Sequence, residues 1–580
     1  MSAQAPSLSA PARLFQEDRP AWLAYRRWAL RFALVVMSLT SLPYLLAYAR
    51  QGDAWRFTGF LFGVDDGNSY IAKMLSGMAG AWLFRTPYTA QPQRGVLAFL
   101  PYLLLGKLAS QPGAHEQLVA LFHGFRFGAG VLAILATADF IALFVRDERL
   151  RRWGLALAVL GGGLGWLLFL LGKSSWLGSM PLEFYSPESF GFLALYGLPH
   201  LALARALLLW GLAVYLRPAL LPAWVRPGSR PWWDPAGAVI GLGWLLLGLF
   251  QPLTALIAWG VAGLHLAVLG AWQVWKVSHN QPPDWRTWRL FARRLVWAIL
   301  LSAPIVVYTA LTSLLDPFMR LWTSQNLILS PHPLHYLLAY GLLLPFAVLG
   351  AARLLRMDAA LGLLPVAWVV ALPVLAYAPY NLQRRLPEGL WVALVVLALL
   401  PMQGKPALSA RDDLNESASR PSRAPGLRAL LVFALLFPST LLILAGGVLA
   451  SLHPGRPVFQ PESEVRTFAY LAENAPAGSV VLSAFHTGNP LPAWAPLRVV
   501  IGHGPESAGL AELEPQVSAF YQSTTSDAWR LALLRRLDVR YVYWGPDERA
   551  LGDWDPGQAA YLRLLTRSGE YAVYAVQSGF

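Results

Sequence analysis

The chain contains no cysteine, which excludes disulfides, thiol nucleophiles and thiolate metal sites and leaves the redox compartment unread. Charge is scarce: Asp, Glu, Lys and Arg make up 13% of 580 residues, against about a quarter in soluble domains. Neither a GxGxxG run nor a GxxxxGK[ST] loop occurs, so no nucleotide fingerprint is present, and no repeat of fixed period is visible. What fills the chain is apolar: 56% hydrophobic residues and 25 tryptophans. That composition predicts a polytopic membrane protein. The net charge of +14, from 46 basic and 32 acidic residues, is strung between apolar segments and does not gather on one face, which argues against a nucleic-acid partner.

Apolar runs long enough to cross about 30 Å of hydrocarbon recur along the first 450 positions. Their cores fall at 32–49, 118–145, 153–172, 191–216, 236–251, 252–275, 294–313, 333–354, 359–379, 387–402 and 429–451. Arg26, Arg27 and Arg31 precede the first span, Arg146 to Arg152 follow the second, and Lys276 to Arg294 fill a later loop. The positive-inside rule then puts the N-terminal segment 1–31 in the cytoplasm and the loops 51–117, 173–190 and 380–388 outside. The apolar stretch 95–108, short and interrupted by Pro101, reads as a juxtamembrane or re-entrant helix. Residues 403–428, rich in Ser, Arg, Asp and Pro, read as a disordered cytoplasmic linker before the last span.

From 452 to 580 the composition changes to that of a soluble α/β domain on the extracytoplasmic side. Strands are expected at 479–483, 498–501, 539–544 and 571–576, and helices at 462–474, 510–521, 527–537 and 556–568. FHTGN (485–489), HGPE (503–506) and YWGPDER (543–549) each follow a strand-like run. Strand ends of this kind form ligand crevices in open α/β sheets, although turn chemistry explains most of their Gly and Pro residues.

Three sets of polar residues stand out in the outer loops. Asp65 and Asp66, in GVDDGNSY (63–70), precede an amphipathic run over 71–84 and are surrounded by Trp55, Phe57, Phe60, Phe62 and Tyr70. Carboxylates at a membrane face suit a general base for an acceptor hydroxyl, or a ligand for a hard divalent cation. They equally suit an Asp-Asp-Gly turn capping a helix that begins near Asn68. Glu183 and Glu188, in the second loop, either converge with them or, for Glu188, open the next helix. Arg384 and Arg385 run against the positive-inside bias; paired guanidiniums facing a lipid phosphate account for the exception, and a locally inverted topology is the competing explanation.

This arrangement resembles the GT-C class of integral-membrane glycosyltransferases, in particular the bacterial relatives of protein mannosyltransferases and aminoarabinose transferases. The likeness rests on an N-terminal span, a first outer loop with an acidic motif (DDGNSY), the following IAKMLSGMAGAWLF segment, many further spans and a terminal α/β domain. The resemblance implies an enzyme that moves a sugar from a polyprenyl-phosphate donor to a glycan, lipid or protein acceptor at the outer face of the cytoplasmic membrane. It points to Asp65 or Asp66 as the catalytic carboxylate and to Glu183 or Glu188 as the second-loop acid. It allows a divalent cation, Mg or Mn, on Asp65, Asp66 and Glu183. The motif departs from the commoner Asp-Glu form, so which carboxylate acts stays open. A transporter or lipid-glycan flippase is the alternative, but it is expected to carry repeat symmetry or paired broken helices. A non-catalytic assembly protein is the other, and it would tolerate loss of the acidic loop.

Overall fold

The computed structural model describes residues 19–217, 233–403 and 434–577. The expected linker 403–428 lies outside the described residues from position 404 onward, as do the first 18 residues of the N-terminal segment. The protein is predominantly helical and multi-pass. Among the described residues six helices are long and apolar enough to cross a membrane: Pro20–Arg50, Ala114–Phe144, Pro199–Leu216, Pro252–Ser278, Trp285–Leu315 and Gln383–Met402. Shorter apolar helices cover Pro235–Gly248, Ala359–Val370 and Pro438–Leu452.

Two expected spans are interrupted. The run at 153–172 is a helix over Glu148–Leu160, an irregular glycine-rich stretch, and a single turn over Trp166–Leu170. The glycines permit close approach: a Cβ on Gly163 would lie 2.7 Å from the Ala339 Cα. The freed backbone groups are satisfied by other segments, Gly162 N donating to Leu436 O at 2.6 Å and Leu164 N to Leu338 O at 3.2 Å, as a non-helical stretch in an apolar environment requires. The run at 333–354 is a broken pair, Pro333–Tyr340 and Leu344–Met357, bent by 71°. The stretch 95–108 carries only a seven-residue helix, Leu100–Gly106, too short to span.

The chain divides into two compact units, one built from 1–39, 127–306 and 328–443 and the other from 40–126, 307–327 and 444–580. In the second unit the first loop and the terminal domain are one body. Strand β1 (Trp55–Phe57) pairs antiparallel with β2 (Phe459–Pro461). The terminal domain holds a five-stranded sheet in the order β4-β3-β5-β7-β6, with β3 at Val480–Leu482, β4 at Arg498–Val499, β5 at Val539–Trp544, β6 at Leu562–Ser568 and β7 at Tyr571–Val576. β3 runs parallel to β4 and β5, whereas β7 is antiparallel to β5 and β6. Alternate strand residues enter opposite cores: Leu482 and Val542 pack with Val517, Phe520 and Leu534, and Val481, Tyr543 and Val573 pack with Phe468 and Leu471. The β4 edge does not stay open, because Val499 N donates to Pro87 O of the first loop at 2.8 Å.

The helices expected at 462–474, 510–521 and 527–537 are present as Glu462–Asn474, Leu510–Phe520 and Asp527–Arg536. The helix expected at 556–568 is instead strand β6. Its pairing with β7 across Leu562 to Ser568 overrides a weak local helical pattern.

Arg456 and two acids meet at the start of this domain, around the buried carboxyl of Glu464. Arg456 Nη2 meets Glu464 Oε2 at 2.5 Å and its Nη1 pairs with Asp547. Burial pushes the Glu464 carboxyl up to about 7, against the pull of Arg456 and helped by Glu548 and Asp547. A carboxyl raised in the folded state stabilises fully below its unfolded value, and that contribution is lost as pH rises through the folded value. Thermal unfolding is therefore expected to show stability falling by up to roughly 3 kcal/mol between about pH 4.5 and 7, and Glu464→Gln should flatten that slope.

Candidate active site

Asp65 and Asp66 sit in the first turn of the Val64–Met78 helix, not in a turn before a helix at Asn68. Gly63 enters in the left-handed region at φ 57° and the helix starts with no side-chain cap. Gly67 lies against the Phe60 ring, which a Cβ would meet at 2.3 Å. This contact seats the helix start on the aromatic loop. The helix stops at Met78, with Gly80 following at φ 98°, so the amphipathic run expected to reach residue 84 is shorter. Two acids in a first helical turn are favourable with the helix dipole, yet both remain exposed. They open onto a cleft of about 550 Å³ lined also by Leu61, Phe62, Pro457, Val458, His503 and Pro505.

The terminal domain supplies the groups behind them. His503 Nε2 lies 3.2 Å from Asp66 Oδ1. Three residues on, Glu506 is buried and fully engaged: Lys73 Nζ reaches its Oε1 at 2.6 Å, Ser69 Oγ donates to the same oxygen at 2.6 Å, and Thr86 Oγ1 donates to Oε2 at 2.6 Å. Burial alone would raise the Glu506 carboxyl, but the Lys73 charge, then His503, hold it below the ordinary carboxylate value. Lys73 is itself enclosed by Phe99, Phe84 and Tyr70, with ring centroids at 4.5, 5.3 and 5.5 Å. Asn68 Nδ2 donates to Asn489 Oδ1 at 2.8 Å, so the FHTGN segment also meets this helix. Of the segments expected at strand ends, HGPE supplies His503, Gly504 and Pro505 to the cleft lining, and FHTGN meets the helix through Asn489; no motif in the sequence pointed to Lys73, inside an apolar-looking run.

The other candidates lie in the first unit. The second loop and the arginine loop converge there: Arg385 Nε is 3.2 Å from Glu188 Oε1, and the Arg384 guanidinium lies 4.5 Å above the Tyr185 ring. Glu188 does not open a helix, since the next one starts at Phe192. Beside this pair, Arg205 binds Glu388 at 2.6 Å and the carbonyls of Pro187 and Phe190 at 2.8 and 3.0 Å. An apolar groove of about 330 Å³, walled by Leu253, Ile257, Val261, Trp368, Tyr380 and Leu386, lies in the same unit. Glu183 turns inward: Gly165 N donates to its Oε1 at 2.6 Å, and Ser439 Oγ lies 3.3 Å away. Burial raises its carboxyl, and its place is the N-terminus of the Trp166–Leu170 turn.

Among the described residues no group of three or more His, Asp or Glu is arranged to hold a metal ion. Asp66 and His503 offer two donors, but Glu506 is consumed by Lys73, Ser69 and Thr86. The described residues therefore do not build a protein-held cation site.

No protein-family model and no curated protein matches the chain. Solved structures do. The apo oligosaccharyltransferase of Archaeoglobus fulgidus aligns with a TM-score of 0.53 at 15% identity, over 89% of this chain and 69% of that one. The same archaeal enzyme, AglB, in complex with an inhibitory peptide and a dolichol-phosphate aligns at 0.50 and 15% identity, over 88% and 69%. ArnT from Cupriavidus metallidurans bound to undecaprenyl phosphate covers 94% of this chain and 98% of its own at 14% identity, with a TM-score of 0.46. The chain has the fold of the GT-C integral-membrane glycosyltransferases.

Proposed function

We propose that the protein transfers a glycosyl group from a polyprenyl-phosphate-linked donor to an acceptor at the outer face of the cytoplasmic membrane. The observation that carries this is the exposed Asp65–Asp66 pair at the mouth of a cleft in a chain of GT-C fold. A similarly folded enzyme that binds a dolichol-phosphate supports a lipid-phosphate leaving group. In this reading the N-terminus is cytoplasmic, and the first and second loops, residues 380–388 and the terminal domain face outward, as the arginine distribution suggests.

The step is a single displacement. The acceptor oxygen attacks the anomeric carbon, the carbon–oxygen bond to the lipid phosphate breaks, and the phosphate leaves with the electron pair. Asp65 takes the acceptor proton, and one displacement inverts the anomeric centre. Asp66, held by His503, orients the acceptor hydroxyl, which leaves Asp65 as the base. Within the first unit, Arg384 and Arg385 suit a lipid phosphate, and the neighbouring apolar groove suits part of its prenyl chain.

Separate Asp65→Asn and Asp66→Asn variants, assayed in proteoliposomes with a panel of undecaprenyl-phosphate hexoses, test the reading; full transfer by both would refute it. Arg384→Ala with Arg385→Ala should raise the KM for the lipid donor by about 10- to 100-fold, from loss of charge-assisted contacts worth about 1.5–3 kcal/mol. An unchanged donor KM would remove the pair from the phosphate site.

A further inference from the structure

We infer that His503 of the terminal domain is a positioning residue for the first-loop carboxylate Asp66, which it fixes from a loop that is itself clamped to the same helix. The inference rests on the glycosyl-transfer reading for its kinetic consequence but not for its geometry.

Asp66, Ser69 and Lys73 stand at i, i+3 and i+7 of the Val64–Met78 helix, which puts them on one face. The loop from His503 to Glu506 lies along that face and touches all three: His503 meets Asp66, and Glu506 meets Ser69 and Lys73. Two attachment points about two helical turns apart fix both the position and the direction of the loop.

The loop is also rigid from behind. Ser507 Oγ accepts from Gly502 N and His503 N at 3.1 and 3.0 Å. Gln325 Nε2 donates to the carbonyls of Pro505 and Ser507 at 3.0 and 2.9 Å. Thr86 holds Glu506 from the first loop. The His503 ring, with a side chain only 10% exposed, packs beside Tyr88 at 5.3 Å between centroids.

Its two nitrogens face different carboxylates, Nε2 toward Asp66 at 3.2 Å and Nδ1 toward Glu506 at 4.0 Å. With Nε2 carrying its proton, the imidazole donates to Asp66. The Asp66 side chain is 56% exposed at a helix end, and a contact from a rigid loop narrows the rotamers open to it. Misplacement by about 1 Å in a reacting site can cost about 100-fold in rate, so holding such a side chain has kinetic value. A bland role for His503, filling space beside Tyr88, requires neither the Nε2 contact nor the clamp.

The absence of cysteine permits a test that does not depend on turnover. Asp66→Cys places a single thiol next to His503, and its alkylation by iodoacetamide reports local stabilisation of the thiolate. Adding His503→Leu to the full-length protein should slow that alkylation about tenfold at pH 7, whereas adding His503→Gln, which retains a donor, should restore part of the rate. Equal rates in all three backgrounds would overturn the contact.

In transfer assays on the Asp66-containing protein, His503→Leu should lower kcat about 10- to 100-fold with KM unchanged and the protein folded, and His503→Gln should recover most of it. Unchanged kcat in His503→Leu would overturn positioning, and equal loss in both variants would overturn it in favour of a ring that touches the reactants. If Asp65→Asn and Asp66→Asn keep full transfer while the thiol result holds, the glycosyl-transfer site is wrong and the His503 contact stands.

Discussion

Asp65→Asn is expected to reduce glycosyl transfer by about 10²- to 10⁴-fold, the range for removing a positioned general base, while leaving the protein folded. The substitution is nearly isosteric, and Asp65 is exposed at the first turn of its helix, so no packing is lost. The structural role of an acid at that place is its interaction with the helix dipole, worth about 0.3–1 kcal/mol. That magnitude separates the two accounts of the motif. A helix-terminal acid would show a small drop in melting temperature with normal turnover. A proton acceptor would show the reverse, because an amide cannot take the acceptor proton. Transfer measured beside thermal unfolding on the same preparation decides between them. Asp66→Asn should also impair transfer, and it additionally removes the anion facing His503, so its effect combines orientation with any direct role.

How much of this was legible depends on the range of the interactions involved. Periodicity and length located the apolar helices, because in a bilayer each must satisfy its own backbone groups. Where the rule failed, the backbone was satisfied from elsewhere: residues 161–165 bond to Leu338 and Leu436, segments no local pattern could nominate. Strand β6 was misread for the same reason, since its partner β7 fixes it. Asp65 and Asp66 in the first loop and, in the other unit, Glu188, Arg384 and Arg385 stood out as charges where charge is rare. The convergence of Glu188 with Arg385 joins residues nearly two hundred positions apart and had no local signature.

Lys73 was the least legible. It is unremarkable in its own segment, and only folding places it 2.6 Å from Glu506 of the HGPE segment, with side chains 0% and 5% exposed. The one trace in the sequence was the helical spacing of Asp66, Ser69 and Lys73, obscured by the apolar residues between them. The first loop and the terminal domain looked like separate regions, whereas β1–β2 pairing, the Pro87–Val499 bond and this ion pair make them one body.

That ion pair should carry a large stability effect. Lys73→Met leaves the Glu506 carboxylate buried beside Ser69 and Thr86 without its countercharge, and Glu506→Gln leaves the Lys73 ammonium among three aromatic rings. Breaking a buried pair from one side costs about 3–5 kcal/mol, more than an aromatic cage returns at about 2 kcal/mol for a desolvated cation. Removing both charges abolishes the unpaired state, so the double variant should be more stable than either single one. A sum of the two single losses in the double variant would mean that the charges are not coupled. The pH response supplies an independent check. The Glu506 carboxyl is held below its ordinary value of 4.5, so its contribution is present above that value and is lost as pH falls through the lower folded one. Wild type should therefore lose stability on acidification below about pH 4.5, opposite in sign to the Glu464 effect at higher pH, and Lys73→Met should weaken that acid-side loss while leaving the Glu464 slope in place.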